Sequence, residues 1–325
     1  MSTFQANNDA LITIFGGSGF LGRHLVRALA RRHYRIRAAV RRPDLAGHLQ
    51  PLGRVGQIHP VQANIRNAES VEAAVRGADV VINLVGILFE RGRQRFDTVQ
   101  TYGAEQAALA ASAHGARMIQ VSAIGADEHS ASAYARAKAM GEKAVLAARP
   151  DAVIVRPSIM FGPEDDFFNK FAAMARLAPA LPLVGGGHTR FQPVFVGDVA
   201  EAIARAVDGN ARAGTIYEAG GPDVKTFKEL MQFVLDTIER HRLLVPLPFG
   251  LAKLVGTFAQ LLPKPLITPD QVEQLKADNV VSAEAQAEGR TLGGLGIEPT
   301  AMVTIVPSYL WRFRKTGQFR TGRFA

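Results

Sequence analysis

Apolar and polar positions along this chain fall into blocks, and the blocks change period at glycines. Leu11-Ile12-Thr13-Ile14-Phe15 is a short apolar run that stops at Gly16, and apolar positions then recur at Leu21, Leu25, Val26 and Leu29. That is the pattern of a strand, a tight turn and a helix. Further on, 34–40 and 55–63 read as strands, 70–76 as a short helix, 96–114 as an alanine-rich helix and 117–122 as a buried strand. Val80-Val81-Ile82-Asn83-Leu84-Val85-Gly86 is nearly all apolar, which suits a central parallel strand covered on both faces. Strands alternating with helices of this length predict an α/β chain built on a doubly wound parallel sheet.

Chemistry enters at the first corner. Gly16, Gly19 and Gly22 stand in GxxGxxG spacing, with Gly17 and Ser18 between them and Phe20 and Leu21 opening the helix. Gly16 lets the chain reverse, Gly19 lets the backbone approach a pyrophosphate, and Gly22 lets helix and strand pack closely; the helix N–H groups then face the anion. Ordinary turns also collect glycines, but this one follows a strand at the start of the first βαβ unit, which favours dinucleotide binding. At the end of 34–40 a carboxylate would bind a ribose 2′-hydroxyl, whereas an arginine suits a 2′-phosphate. Arg41 and Arg42 stand there, Arg23 follows the last glycine, and the first acid, Asp44, comes after Pro43. The cofactor read from this is NADPH; a pair of solvated arginines is the alternative. Asn64 and Ile65 form the corner that flanks the adenine, Asn64 at its edge and Ile65 on its face. Leu84, Val85 and Gly86 end the central strand facing the cofactor ribose.

Ser122 ends a strand, and Tyr134-Ala135-Arg136-Ala137-Lys138 begins the following helix. Tyrosine and lysine at i and i+4 share one helical face. A lysine ammonium favours the phenolate, its other donors can hold the nicotinamide ribose, and a serine hydroxyl facing the same spot can bind a substrate carbonyl. Together they make a proton-transfer site beside a hydride carrier.

The glycine turn, 83–86, Ser122, Tyr134 with Lys138, and Val155-Arg156-Pro157-Ser158 occur in the order seen in the short-chain dehydrogenase/reductases, in their extended or atypical form, and the chain resembles that superfamily. The resemblance implies a Rossmann-type sheet, Ser122, Tyr134 and Lys138 as the catalytic triad positions, and a backbone around Pro157 that meets the nicotinamide. "INLVGIL", "RPSIMFGPEDDFFNKFA", "FQPVFVGDVAEAI", "YEAGGP" and "ITPDQVEQLKADNVV" narrow it further. They are similar to the nucleotide-binding accessory subunit family of respiratory complex I, over residues 10–311. For that family the resemblance implies a structural NADPH, no established turnover, and partners among complex I subunits near the quinone-binding region.

Extended members interleave their domains, so 10–165 with 190–221 is assigned to the NADPH-binding domain, and 166–189 with 222–325 to a smaller C-terminal domain. Strands are expected at 191–196 and 215–219, a helix at 198–207, and a plain loop at Gly185-Gly186-Gly187, with His188 on its surface. The most apolar stretch, 243–262, approaches the ~20 residues that span a bilayer. Lys253, Gln260 and its prolines and glycines argue against a span. From Leu251 onward Leu254, Val255, Phe258, Leu261 and Leu262 form one stripe of an amphipathic helix. That stripe either packs on its own domain or lies on a membrane surface or a partner.

Among the 325 residues there is no cysteine, which excludes disulfides, thiolate metal sites and a cysteine nucleophile. No metal-ligand spacing is present either. The net charge of +9 and a basic tail (Trp311, Arg312, Arg314, Lys315, Arg320, Arg323) suit an anionic membrane face. Nucleic acid is disfavoured, because aromatics make up 7% and no basic–aromatic stripe exists. The polar opening MSTFQANNDA carries no signal or presequence pattern, which points to a bacterial protein peripheral to the cytoplasmic side of the inner membrane. Two functions stay open: a non-catalytic NADPH-holding subunit of complex I, and a soluble NADPH-dependent oxidoreductase or epimerase acting on a small molecule.

Overall fold

The computed structural model describes residues 9–260 and 265–317. The first half of the chain runs β1 (Leu11–Phe15), α1 (Phe20–Arg31), β2 (Arg35–Val40), β3 (Ile58–Gln62), α2 (Ala68–Val75), β4 (Val80–Asn83), α3 (Tyr102–Ala113), β5 (Arg117–Val121), α4 (Ala133–Ala148) and β6 (Val153–Pro157). Then follow β7 (Met160–Phe161), α5 (Phe168–Leu177), β8 (Ala180–Val184), β9 (Arg190–Phe191), β10 (Val194–Phe195), α6 (Val196–Val207) and β11 (Ile216–Ala219). The remainder is β12 (Lys225–Thr226), α7 (Phe227–Thr237), β13 (Leu243–Leu247), α8 (Phe249–Ala259), α9 (Pro269–Gln274) and α10 (Ala283–Ala287), then two short turns of helix.

The chain divides into two compact units. The first comprises Met1–Pro157, Val196–Ala219 and Val281–Glu298. Its seven strands form one sheet in the order β11-β6-β5-β4-β1-β2-β3, every neighbouring pair parallel. Because the order reverses between β1 and β4, the loops leaving those two strands diverge and open a crevice at their carboxyl ends. β4 and the middle of β1 are fully buried, as strands covered on both faces must be. A core of Phe15, Val71, Val75, Val81, Val99, Met118 and Val145 with many alanines packs one face of the sheet. Each fully buried large side chain there contributes roughly 1.5–3 kcal/mol.

The expected helix 96–114 is divided. Asp97–Thr101 forms a π turn, and the α-helix proper starts at Tyr102. The cause is close packing with α4: Thr101 Oγ1 donates to Ala137 O at 3.0 Å. A Cβ on Gly141 would lie only 2.6 Å from Gln100 O. The expected strand from residue 55 starts at Ile58 instead, because Val55 sits fully exposed in a turn.

The second unit comprises Ser158–Phe195, Gly220–Val280 and Pro299–Ala325. Its core is aromatic: Phe161, Phe168, Phe191 and Phe227 are buried together with Tyr309 and Phe313, and the phenylalanine rings meet largely edge to face. The expected strand 191–196 is two short strands, β9 and β10, and Val196 already begins α6. Within the apolar stretch 243–262, Leu243–Leu247 pairs in parallel with β8, and the helix expected from Leu251 begins at Phe249. Residues 281–298, placed by sequence in the smaller domain, belong to the first unit. There the Glu218 N–H donates to Arg290 O at 2.9 Å, and a Glu218 carboxylate oxygen accepts the Ser282 N–H at 2.7 Å.

Gly141→Ala tests the α3–α4 contact. Alanine normally stabilises a helix interior by about 1 kcal/mol relative to glycine. Here overpacking against the Gln100 carbonyl is expected to reverse the sign and cost about 1–3 kcal/mol. The urea midpoint of the variant measures it; a midpoint at or above that of the parent chain would contradict the packing described.

Candidate functional site

The crevice of the first unit gathers most of the residues singled out by sequence. Gly16 takes φ +82°, and its N–H donates to Ala39 O at 3.1 Å, which joins the ends of β1 and β2. A Cβ on Gly22 would stand 2.4 Å from Gly16 O and 2.5 Å from Gly17 O, so only glycine allows α1 to start so close to the turn. No side chain caps the N-terminus of α1, and its first turn holds no acid. This is a cradle of bare N–H groups that suits a pyrophosphate. Ser18, Phe20 and Leu21 lie in this corner, and Arg23 is half-buried in the first helical turn. Opposite, the Leu84 N–H donates to Phe15 O at 3.0 Å, and a Cβ on Gly16 would touch Val85. The ends of β1 and β4 therefore lie together.

At the end of β2 the two arginines differ. Arg42 is held by Asp44 through Nε at 2.9 Å and Nη2 at 2.7 Å. Arg41 is exposed and makes no hydrogen bond or ion pair among the described residues. The structure thus engages Arg42 locally and leaves Arg41 available. Asn64 accepts the Arg66 N–H at 3.2 Å through its side-chain oxygen, with no partner for its amide nitrogen among the described residues. Ile65 is 7% exposed and packs into the core against Gly103, so the adenine face assigned to its side chain is not open.

Ser122, Tyr134 and Lys138 come together. The Ser122 N–H donates to Val155 O, and the Ile124 N–H donates to Pro157 O, so the serine and Pro157 end adjacent strands side by side. The Ser122 hydroxyl is buried and has no hydrogen-bond partner among the described residues. An orphaned buried hydroxyl is costly unless something else occupies its site. Lys138 is 7% exposed; its Nζ donates to Val121 O at 3.3 Å and lies 5.9 Å from the centre of the Tyr134 ring. The ammonium also faces Gly86, whose Cβ position would be 3.4 Å away. Burial pulls the Lys138 ammonium down to about 8, with Glu142 pushing the other way. Phe96 holds the Tyr134 ring edge-on at 5.7 Å.

Several supporting residues escaped the sequence reading. Glu142 continues the Tyr134–Lys138 face by one more turn, is buried, and pairs in bidentate fashion with Arg156 (Nε 2.8 Å, Nη2 2.6 Å). This pair raises Arg156 above its usual range and locks α4 to β6. The i, i+4, i+8 spacing of Tyr134, Lys138 and Glu142 was the available signal. Asn83 donates to Gln120 at 3.0 Å and accepts the Val85 N–H at 3.0 Å, which fixes the backbone that leads to Gly86. Gln100 donates to Ile87 O at 3.2 Å and braces the next residue. Asn83 lies in the 83–86 segment used for the resemblance, whereas no motif marks Gln100.

The second unit presents a different surface. Leu254, Val255 and Phe258 of α8 are 55%, 46% and 66% exposed, while the helix seats itself by Ala252 and Gly256. The apolar stripe therefore does not pack on its own core; Leu261 and Leu262 lie outside the described residues. The basic tail is partly engaged: Arg312 donates to Asn169, and Arg314 donates to Thr237 O at 2.9 Å. Arg320 and Arg323 lie outside the described residues. Gly185-Gly186-Gly187 is a tight turn, with a Cβ on Gly185 barred by the Phe249 ring, and His188 is exposed. Among the described residues no helix is long and apolar enough to cross a membrane.

The NAD dependent epimerase/dehydratase family matches residues 12–220. The chain is 38% identical over 318 residues to the Arabidopsis thaliana protein named NADH dehydrogenase (ubiquinone) 1 alpha subcomplex subunit 9, mitochondrial, covering 94% of this chain and 78% of that one. A ceramide reductase of Caulobacter vibrioides is 40% identical over 174 residues, 54% of each chain. A dTDP-glucose 4,6-dehydratase structure from Streptomyces venezuelae with NAD bound superposes with a TM-score of 0.69 at 20% identity, over 95% of this chain and 99% of that one, which shows the shared fold. The chain belongs to the NAD dependent epimerase/dehydratase family, in the branch of the NADH dehydrogenase (ubiquinone) 1 alpha subcomplex subunit 9 proteins.

Proposed function

We propose that this chain is a non-catalytic, NADPH-holding accessory subunit of respiratory complex I. In this reading it stabilises the junction of peripheral and membrane arms near the quinone-binding region, peripheral to the cytoplasmic side of a bacterial inner membrane. The observation that carries the reading is the exposed apolar face of the second unit. Leu243, Leu251, Leu254, Val255, Phe258 and Leu266 are all about half exposed or more. Between Glu239 and Asp270 there is no acid, while Arg240, Arg242, Lys253 and Lys264 are present. An exposed apolar face with these cations along it suits an anionic lipid surface, Lys253 among them being paired with Glu273 at 3.0 Å. The likeness to a complex I subunit over 94% of this chain supports the partner class.

NADPH is the cofactor the crevice favours. Its pyrophosphate would meet the bare start of α1, its 2′-phosphate Arg41, and its nicotinamide ribose Lys138. Lys138 has one protein hydrogen bond and is deeply buried, so ribose hydroxyls would meet its remaining donors. The cofactor is then part of the structure, because it satisfies groups the fold leaves open.

One observation favours a second reading, a reductase of a small carbonyl compound: the orphaned Ser122 hydroxyl beside an intact Tyr134–Lys138 pair. The ceramide reductase likeness adds to it. When bound, NADPH supplies a hydride to the carbonyl carbon. Ser122 would hold the carbonyl oxygen and Tyr134 would give it the phenolic proton, yielding an alcohol.

In gently solubilised membranes, native electrophoresis with mass-spectrometric readout should find this chain co-migrating with complex I subunits; a small free species would sink the subunit reading. Arg41→Ala should weaken NADPH retention by roughly tenfold or more, the worth of a charge-assisted hydrogen bond, and leave NADH binding little changed. Unchanged NADPH released from the purified variant overturns the 2′-phosphate assignment. Tyr134→Phe should leave assembly and bound NADPH intact, whereas loss of an NADPH-consuming activity on a carbonyl substrate would favour the reductase.

A further inference from the structure

The loop that leaves β4 is built as a rigid cationic finger. In 87–96 (Ile-Leu-Phe-Glu-Arg-Gly-Arg-Gln-Arg-Phe) the backbones of Arg91 and Gln94 exchange two hydrogen bonds, at 2.9 and 3.0 Å. They close a two-residue turn in which Gly92 alone has positive φ, at +56°. Arg66 Nη1 donates to Arg93 O at 2.7 Å, and a Glu90 carboxylate oxygen accepts the Phe96 N–H at 2.8 Å. Both ends are tied to the cofactor site: Ile87 O accepts from Gln100, and Phe96 packs edge-on against Tyr134. On this clamped frame Arg93 and Arg95 are exposed, and neither guanidinium has a carboxylate or any other partner among the described residues.

We propose that the 88–95 loop docks against an acidic surface of a neighbouring protein subunit, with Arg93 and Arg95 as the contacts; this rests on the complex I reading. Two exposed guanidinium groups two residues apart on a braced backbone suit carboxylates, which they can meet in bidentate geometry. A lipid headgroup layer demands no such frame, and the exposed apolar face of the second unit already offers it a surface. Because the loop is seated on Ile87 and Phe96, the docking element borrows its shape from the residues that surround the nicotinamide ribose.

The test compares the full chain with R93E/R95E and R93K/R95K variants in cells lacking the parent copy. The ratio of each chain to complex I subunits on native gels, and the NADPH released per chain, are both measured. Charge reversal should lower recovery with the complex by roughly tenfold or more, with NADPH per chain unchanged, and R93K/R95K should fall between, with added sensitivity to salt. Full recovery of R93E/R95E overturns the proposal. Purified R93E/R95E should still bind vesicles containing phosphatidylglycerol as the parent does; loss of vesicle binding would assign the loop to lipid and overturn it too. If R93E/R95E loses its NADPH, R93A/R95A replaces it as the deciding variant. Failure of the parent chain itself to co-migrate sinks the complex I reading, whereas success of the parent together with R93E/R95E sinks only the loop.

Discussion

The first unit depends on how it accommodates one buried charge. The Lys138 ammonium sits in the interior with a single carbonyl acceptor, and desolvation alone would push it toward the neutral form. Glu142 one turn below counters that pull, but Glu142 is itself buried and tolerable only because Arg156 meets both its oxygens. Arg156 in turn lies 3.7 Å from Glu218 on β11, whose backbone and carboxylate hold residues 282 and 290. A chain of alternating charges thus runs from α4 through β6 to β11. Removing one member of such a buried pair strands the other at a cost of about 3–5 kcal/mol.

The charge chain also explains what is left open. Every member except Lys138 is matched by protein, and the donors that remain on Lys138 face Gly86 at the crevice. A ligand with hydroxyls there would complete the network and, by binding only the folded chain, would stabilise it. A bound dinucleotide can therefore be structural without any change in the residues that make it reactive elsewhere.

Much of this was legible in the sequence because it is local. The switch of period at Gly16, the apolar run of β4 and the i, i+4 face of α4 are set by near neighbours and by backbone geometry. What escaped depends on distant partners. Nothing near residue 281 says that Ser282 and Arg290 will return to Glu218. The Leu243–Leu247 run joins β8 because a complementary edge waits there, not because of its own pattern. Ile65 carried a sequence signal for the adenine, yet the absence of a side chain at Gly103 draws it into the core. The amphipathic stripe on α8 was visible, but which of its faces turns inward was not. Small residues, Ala252 and Gly256, allow the close seat against Thr268 and Pro269, and the larger apolar residues are left outside.

That inversion on α8 bears on the choice between the two functions. A helix whose bulky apolar residues face outward gains only part of their burial from folding alone, since about half of each side chain stays in water in the isolated chain. The free energy they hold is released only on contact with another apolar surface. The Ser122–Tyr134–Lys138 group does not weigh against this, because in either reading the lysine would serve to hold a ribose whether or not the tyrosine ever gives up its proton. The catalytic-looking residues are common to both readings, and the outward apolar face serves only the one in which the chain is docked.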